Sequence, residues 1–255
     1  MRKRPLLQRF LVLWGVCLCM NGSAQADTQP SSWQPAGIAF YVLRVIYPES
    51  AKQGASLTTY NKSHAPYLIQ SRIRPVDPAS GNVEMDETGQ PLMPLIVTPP
   101  LARLEPQGEL TLRIRRNGEP LPKDRESVFF ISMKAIPARN EHDDARSKVV
   151  MAVVSSLKVF YRPKGLSRRA VADVAGQLRF RREGNRLIAD NPTPYWLTFS
   201  RLKVGATAVD KAQLRLMVPP KGQRQYVLPA GASGPVVWQL IDEDGWDTPE
   251  QQRAL

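Results

Sequence analysis

Leu110-Thr111-Leu112-Arg113-Ile114-Arg115, with Asn117-Gly118 just beyond, is the stretch that decides the fold class. Its apolar and polar residues alternate with period two, as in a strand with one face in a core and the other in water; an amphipathic helix repeats roughly every 3.6 residues. Asn-Gly accepts the positive φ of a tight turn, so a turn is expected directly after the strand. Outward from it, Val128-Phe129-Phe130-Ile131-Ser132-Met133 and the run from Val149 to Phe160 are rich in β-branched and aromatic residues, and Ala39 to Leu43 and Tyr67 to Gln70 add shorter runs. The chain has 23 prolines, and Pro66, Pro99-Pro100, Pro120, Pro122 and Pro137 fall between these runs, where they interrupt no ladder and forbid long helices. Short strands punctuated by turn residues predict an all-β antiparallel sandwich.

A second sandwich is expected downstream. Arg162-Pro163-Lys164-Gly165-Leu166-Ser167-Arg168-Arg169 has linker composition. Beyond it come short apolar runs at Leu178 to Phe180, Leu187-Ile188, Tyr195 to Leu202, Leu214 to Val218, Tyr226 to Leu228 and Val236 to Ile241. The boundaries expected are 36–163 and 168–246, two β-sandwiches of unequal size, with Asp247 to Leu255 a loose tail.

The 255 residues are 42% hydrophobic and 23% charged, a globular rather than a disordered balance, and the net charge is +12. Arg2, Lys3, Arg4 and Arg9 precede an apolar run from Phe10 to Met20 that ends at Ala24-Gln25-Ala26. That order reads as a secretory signal peptide over 1–26, its apolar part too short to span a bilayer. Cleavage removes both cysteines, Cys17 and Cys19, and with them any disulfide scaffold, thiolate metal site or cysteine nucleophile. The exported chain stays basic, which suits an acidic partner as well as it suits plain solubility. No nucleic acid and no membrane insertion are expected after cleavage.

The catalytic inventory is empty. His64 and His142 belong to no His-Glu-x-x-His pair, no Gly-x-Ser-x-Gly elbow exists, and no phosphate-binding glycine loop is present. The acidic turn from Asp242 to Asp247 lacks the ligand spacing of a calcium loop. The expectation is a binding protein, with no enzymatic activity, no metal and no other cofactor.

Lys148-Val149-Val150-Met151-Ala152-Val153-Val154 breaks the alternation, being apolar at both parities. Either both faces of this strand are buried within the protein, or one is reserved for a partner that adds a strand. The reserved set is Val149, Met151 and Val153 in one register, or Val150, Ala152 and Val154 after a slip of one residue.

Leu157-Lys158-Val159-Phe160-Tyr161-Arg162-Pro163 resembles the signature that closes the first domain of the periplasmic pilus-assembly chaperones of the chaperone–usher pathway. Four further stretches resemble that family in the same order: Leu43-Arg44-Val45-Ile46-Tyr47-Pro48, Thr98-Pro99-Pro100-Leu101-Ala102-Arg103-Leu104, Pro122-Lys123-Asp124-Arg125-Glu126-Ser127 through Ile136-Pro137, and Asn191-Pro192-Thr193-Pro194-Tyr195. The resemblance implies two immunoglobulin-like sandwiches in an L or boomerang arrangement, a periplasmic location, and pilin subunits and an outer-membrane usher as partners. It implies that Val149, Met151 and Val153 fill the groove of a pilin that lacks its last strand. It implies that Arg44 and Lys158 grip the pilin's terminal carboxylate, with charge-assisted donors replacing lost water. It further implies an interdomain salt-bridge network of Glu126, Arg162 and Glu243, Asp242 being the alternative third member. The short connection after Pro137 resembles the family's short-loop subgroup, which implies rod-like pili. The rival expectation is a two-domain immunoglobulin-like component of a surface fibre or adhesin.

Overall fold

The computed structural model describes residues 37–86, 92–138 and 151–255. The expected signal peptide, His142 and Val149 lie outside the described residues.

Alternation becomes sheet in the first half. The strands are β1 (Ile38–Ala39), β2 (Arg44–Pro48), β3 (Ala55–Asn61), β4 (Tyr67–Arg74), β5 (Leu95–Thr98), β6 (Leu101–Leu104), β7 (Glu109–Arg116), β8 (Ser127–Pro137) and β9 (Val153–Arg162). They form a sheet in the order β1-β3-β7-β5 and a second in the order β2-β9-β8-β4-β6. In the deciding stretch, Leu112 and Ile114 are fully buried while Thr111 and Arg115 are exposed. They pack with Leu57 from their own sheet against Ile69, Ile131, Met133 and Val159 from the other. Each fully buried aliphatic side chain contributes about 1.5–3 kcal/mol. The chain leaves β7 through Asn117-Gly118, with Gly118 at φ 98°, a region open to glycine at little cost.

The second half repeats the solution with β10 (Arg179–Glu183), β11 (Arg186–Asn191), β12 (Phe199–Val204), β13 (Thr207–Ala208), β14 (Gly222–Val227), β15 (Val236–Leu240) and β16 (Gln251–Arg253). Sheets β10-β11-β14 and β13-β12-β15-β16 enclose Trp238, Phe199, Tyr226, Leu187 and Val236. The buried Trp238 indole N–H donates to the Ala175 carbonyl at 3.1 Å, so the large ring leaves no buried donor unpaired. The fold is therefore two β-sandwiches, as the alternation leads one to expect.

Four local expectations differ from the structure, the first being the run from Ala39 to Leu43, which is strand only at Ala39. The run from Leu214 to Val218 is not a strand: Gln213–Arg215 form a single 3₁₀ turn, and only Val218 bridges, to Leu197. The Gln213 side chain takes the place of a strand neighbour, its amide donating to the Val227 carbonyl at 3.0 Å and its oxygen accepting the Val227 N–H. The residues from Asp247 are not loose either, since β16 pairs with Val236–Trp238. Arg253 ties that polar edge down by donating to the carbonyls of Leu178 at 2.8 Å and Gly176 at 3.0 Å, contacts that no apolar pattern announces. Finally, the strand expected over Val149 to Phe160 begins, among the described residues, at Val153 and runs on to Arg162.

Candidate functional site: the open edge of β9 and its cationic end

β9 has two edges with different fates. Along one it pairs antiparallel with β8 from Val153 to Tyr161. Along the other it pairs with β2, in parallel, only from Lys158 to Arg162. Among the described residues, Val153 to Leu157 therefore have no partner on that second edge. Their N–H and C=O groups form a template for a further strand, a hazard in a monomer unless a partner takes it up.

The start of this edge is apolar, and Ser155 and Ser156 follow before Leu157. Met151 is 77% exposed, Val153 60% and Val154 49%. Further along β9, Leu157, Val159 and Tyr161 belong to the buried core of the first sandwich. Side chains alternate along a strand, so Val153 lies on the same face as these three, and Met151, two residues before it, has the same parity. The core-facing side of β9 thus runs past the end of its own sandwich with Val153 exposed on it, Ser155 being the one polar residue between Val153 and the buried Leu157. Ala152 and Val154 share parity with Lys158 and belong to the opposite, outward face.

Where the open edge stops, two cations meet. Arg44 on β2 and Lys158 on β9 are direct cross-strand partners. The Arg44 guanidinium lies 5.4 Å from the centre of the Phe160 ring and donates through Nη1 to the Ile241 carbonyl of the second sandwich at 3.1 Å. Its Nε is buried without a hydrogen-bond partner. Burial lowers the Arg44 pKa, with Glu126, Glu243 and Asp242 opposing that shift. Arg44 also borders a cleft of about 800 Å³ whose walls include Tyr41, Arg168, Glu243 and Trp246. Lys158 has no such company. Burial pushes its ammonium down to about 8, and the positive charge of Arg44 pushes the same way. No carboxylate pairs with it among the described residues. A desolvated cation facing another cation, at the end of an open strand edge, is a place for an anion.

Behind this pair stands a buried ionic cluster. Arg162 Nε donates to Glu126 Oε1 at 2.6 Å, and Arg162 Nη2 lies 2.8 Å from Glu243 Oε1. Arg162 Nη1 donates to the carbonyls of Ser167 and Arg168 at 2.8 and 2.6 Å, and its guanidinium covers the Tyr195 ring at 4.8 Å. Glu126 Oε2 accepts the Trp196 N–H at 2.7 Å, and Glu243 Oε1 accepts the N–H groups of Ala170 and Val171. Burial pushes the Glu126 carboxyl up to about 7 against the pull of Arg162 and the Trp196 N–H. The cluster ties the end of β9 and the start of β8 to three segments of the second sandwich. The choice between Glu243 and Asp242 falls on Glu243, because Asp242 Oδ1 accepts the N–H groups of Asp244 and Trp246 inside its own turn.

Of the residues singled out from the sequence, the structure thus brings together Arg44 with Lys158, and Glu126 with Arg162 and Glu243. Met151 and Val153 stand along the open edge that leads to the first pair. Sequence reasoning missed Phe160 beneath Arg44, Trp196 on Glu126 and the Ile241 carbonyl. Phe160 was legible as the residue two after Lys158, hence on its face; a backbone carbonyl leaves no trace in a sequence.

Comparison with known proteins agrees along nearly the whole described chain. Residues 37–167 match the family "Pili and flagellar-assembly chaperone, PapD N-terminal domain", and residues 173–252 match "Pili assembly chaperone PapD, C-terminal domain". The chaperone protein FimC of Escherichia coli K12 is 35% identical over 221 residues, covering 86% of this chain and 85% of that protein. The chaperone protein LpfB of Salmonella typhimurium is 39% identical over 213 residues, covering 82% of this chain and 85% of that one. A solved complex of the Salmonella enterica SafA pilin with the SafB chaperone matches with a TM-score of 0.73 and 29% identity, over 86% of this chain and 96% of that chain.

Proposed function

The chain belongs to the PapD-like pilus-assembly chaperones of the chaperone–usher pathway, and from that premise we propose how its own residues hold a pilin subunit in the periplasm until an outer-membrane usher takes it. A pilin lacking its last strand pairs with the open edge of β9 from Val153 to Leu157. Met151 and Val153, with Val149 beyond the described residues, fill the groove on the core side. The pilin's terminal carboxylate sits between Arg44 and Lys158 and sets the register. The single observation that supports this reading most is geometric: the open edge of β9, with Met151 and Val153 exposed at its start, ends at Lys158, a buried cation beside Arg44 with no carboxylate partner among the described residues. A strand template alone would bind many segments; a carboxylate socket at its end selects a chain terminus. The relatives are chaperones, which does not favour a fibre or adhesin component, and no helix among the described residues is long and apolar enough to cross a membrane.

Co-expression with a pilin and periplasmic co-purification test the reading. Wild type is expected to yield a one-to-one complex that Lys158→Ala loses; a complex indifferent to Lys158 removes the socket. For the groove-filling role, Val153→Asp is expected to weaken pilin binding at least ~100-fold, since it carries a charge into an apolar groove. Because Val153 is exposed in the free protein, the same change should move unfolding free energy by no more than about 0.5 kcal/mol. Equal losses in binding and stability would return Val153 to an internal role.

The Lys158 ammonium adds a pH dependence. It titrates near 8 in the free protein, and a bound carboxylate raises that value again. Affinity is therefore expected to be flat below pH 8 and to fall up to about tenfold per pH unit above it, as binding begins to require proton uptake. Titration calorimetry from pH 6.5 to 9.5 checks this, and Lys158→Gln should flatten the profile. A wild-type profile without a break near 8 would count against Lys158 as the cationic anchor.

A further inference from the structure

Sulfur is placed unevenly in this chain. Both cysteines, Cys17 and Cys19, precede the expected cleavage point, so beyond it the sulfur atoms belong to Met85, Met93, Met133, Met151 and Met217. Met133 and Met217 are each 2% exposed, and Met93 packs partly buried against the first core. Met151 and Met85 are the exposed pair, at 77% and 66%. Met85 lines a recess on the outward face of the β2-β9-β8-β4-β6 sheet, with Ser132, Lys134 and Val154. Met151 has a different place. It stands two residues before Val153, with the parity of the buried Leu157, Val159 and Tyr161, where the edge that β2 leaves unpaired begins.

That position makes one thioether accessible in the free chain and buried in the loaded one. A subunit paired with β9 brings its apolar groove over the Met151 side chain, which adapts to grooves of different shape more readily than a branched valine does. Without a subunit the sulfur faces solvent, and the susceptibility of a thioether to oxidants follows its exposure. An exported protein meets those oxidants away from the thiol reductants of the cytosol.

We infer that Met151 is a modification site through which oxidants of the peroxide class stop subunit loading: the free chain is converted to the sulfoxide and no longer accepts a groove, while a chain already holding a subunit is protected. In that step the sulfur lone pair attacks one peroxide oxygen, the O–O bond breaks, an S–O bond forms and, after proton transfer, water leaves. Sulfur loses two electrons and the peroxide gains them. The new oxygen is a strong hydrogen-bond acceptor, and a groove that meets it with apolar side chains offers no donor. The inference rests on the strand-addition reading and deepens it, since it needs Met151 inside the groove.

Hydrogen peroxide treatment of the whole exported chain, followed by peptide mass spectrometry, tests it. Oxygen is expected to be added at Met151 and Met85 and not at Met133 or Met217. Capture of a pilin diluted out of denaturant should fall at least ~10-fold in the treated chain, because a polar atom enters an apolar groove. Met151→Leu should capture equally before and after treatment, whatever its own affinity, and Met85→Leu should show the same loss as wild type. In a purified complex with the pilin, Met151 should oxidise at least ~10-fold more slowly than in the free chain, as a covered thioether does. A treated wild type that captures pilin undiminished, or a Met151→Leu chain that still loses capture, would overturn the inference and leave strand addition standing. Equal oxidation of Met151 in the complex and the free chain would take it out of the groove, and the inference would go with it. An untreated chain that captures no pilin would overturn strand addition itself.

Discussion

Arg162→Leu is expected to lower the unfolding free energy by about 3–5 kcal/mol, because removing one partner of a buried ionic cluster strands the others. Arg162 and Glu126 are almost wholly buried, and Glu243 nearly so. Without the guanidinium, two buried carboxylates lose their only cation and keep backbone N–H donors alone, while the carbonyls of Ser167 and Arg168 lose the Arg162 donor. The loss should deepen with pH. The Glu126 carboxyl is already raised to about 7 from an ordinary 4.5, and losing Arg162 raises it further. Between about pH 4.5 and that raised folded value the folded variant binds more protons than the unfolded chain, so its stability falls as pH rises through neutrality. Denaturant unfolding of wild type and variant at pH 5.5 and 8 reads this directly. Adding Glu126→Gln to the variant should recover part of the loss at pH 8 and little at pH 5.5. A deficit under 1 kcal/mol at pH 8 would show that the cluster does not hold the two sandwiches together.

Lys158→Met is expected to act in opposite directions on binding and stability. The free protein holds this ammonium desolvated beside Arg44, with a pKa near 8 against 10.5 for an ordinary lysine. A base lowered on folding costs stability while it remains charged in the folded state, so the cost is complete below about pH 8 and disappears between 8 and 10.5. Methionine keeps the apolar stem and removes the charge, which should raise unfolding free energy at pH 7 by roughly 1–3 kcal/mol. Pilin retention should fall at least ~100-fold in the same variant, since the carboxylate loses a charge-assisted donor and faces Arg44 alone. Thermal unfolding beside pull-down from one preparation tests both signs. A variant that loses binding together with stability would make Lys158 a fold residue rather than a site residue. That trade is what the proposed carboxylate anchor requires, since a desolvated cation costs stability until an anion pairs with it.

How much of this was legible before any coordinates depended on the interaction concerned. Leu112 and Ile114 announced their burial through period-two spacing, because a strand's geometry writes directly into sequence. The double-sided run at Val149 to Val154 announced that something unusual happens there, but periodicity left two registers open. In the structure Leu157, Val159 and Tyr161 lie in the core, so Val153 shares their face and Val154 takes the other. The strand expected at Leu214 to Val218 was misread because a glutamine side chain, Gln213, supplies the two hydrogen bonds a strand neighbour would have supplied. The tail was misread for a similar reason, since β16 is held by backbone pairing and by Arg253 on two carbonyls, neither of which leaves an apolar pattern.

Local spacing by itself therefore determined that this chain is all β and that one apolar strand is exceptional. Such properties depend on neighbours a few residues apart. Only the tertiary structure decided that β2 stops pairing at Lys158 and leaves Val153 to Leu157 open, that Arg44 and Lys158 face each other at that point, and that Glu243 rather than Asp242 closes on Arg162. Those outcomes join residues over a hundred positions apart in some cases and neighbours in others, and they turn on which groups lose water together: a lysine becomes a socket only when burial takes away its solvent and no carboxylate replaces it.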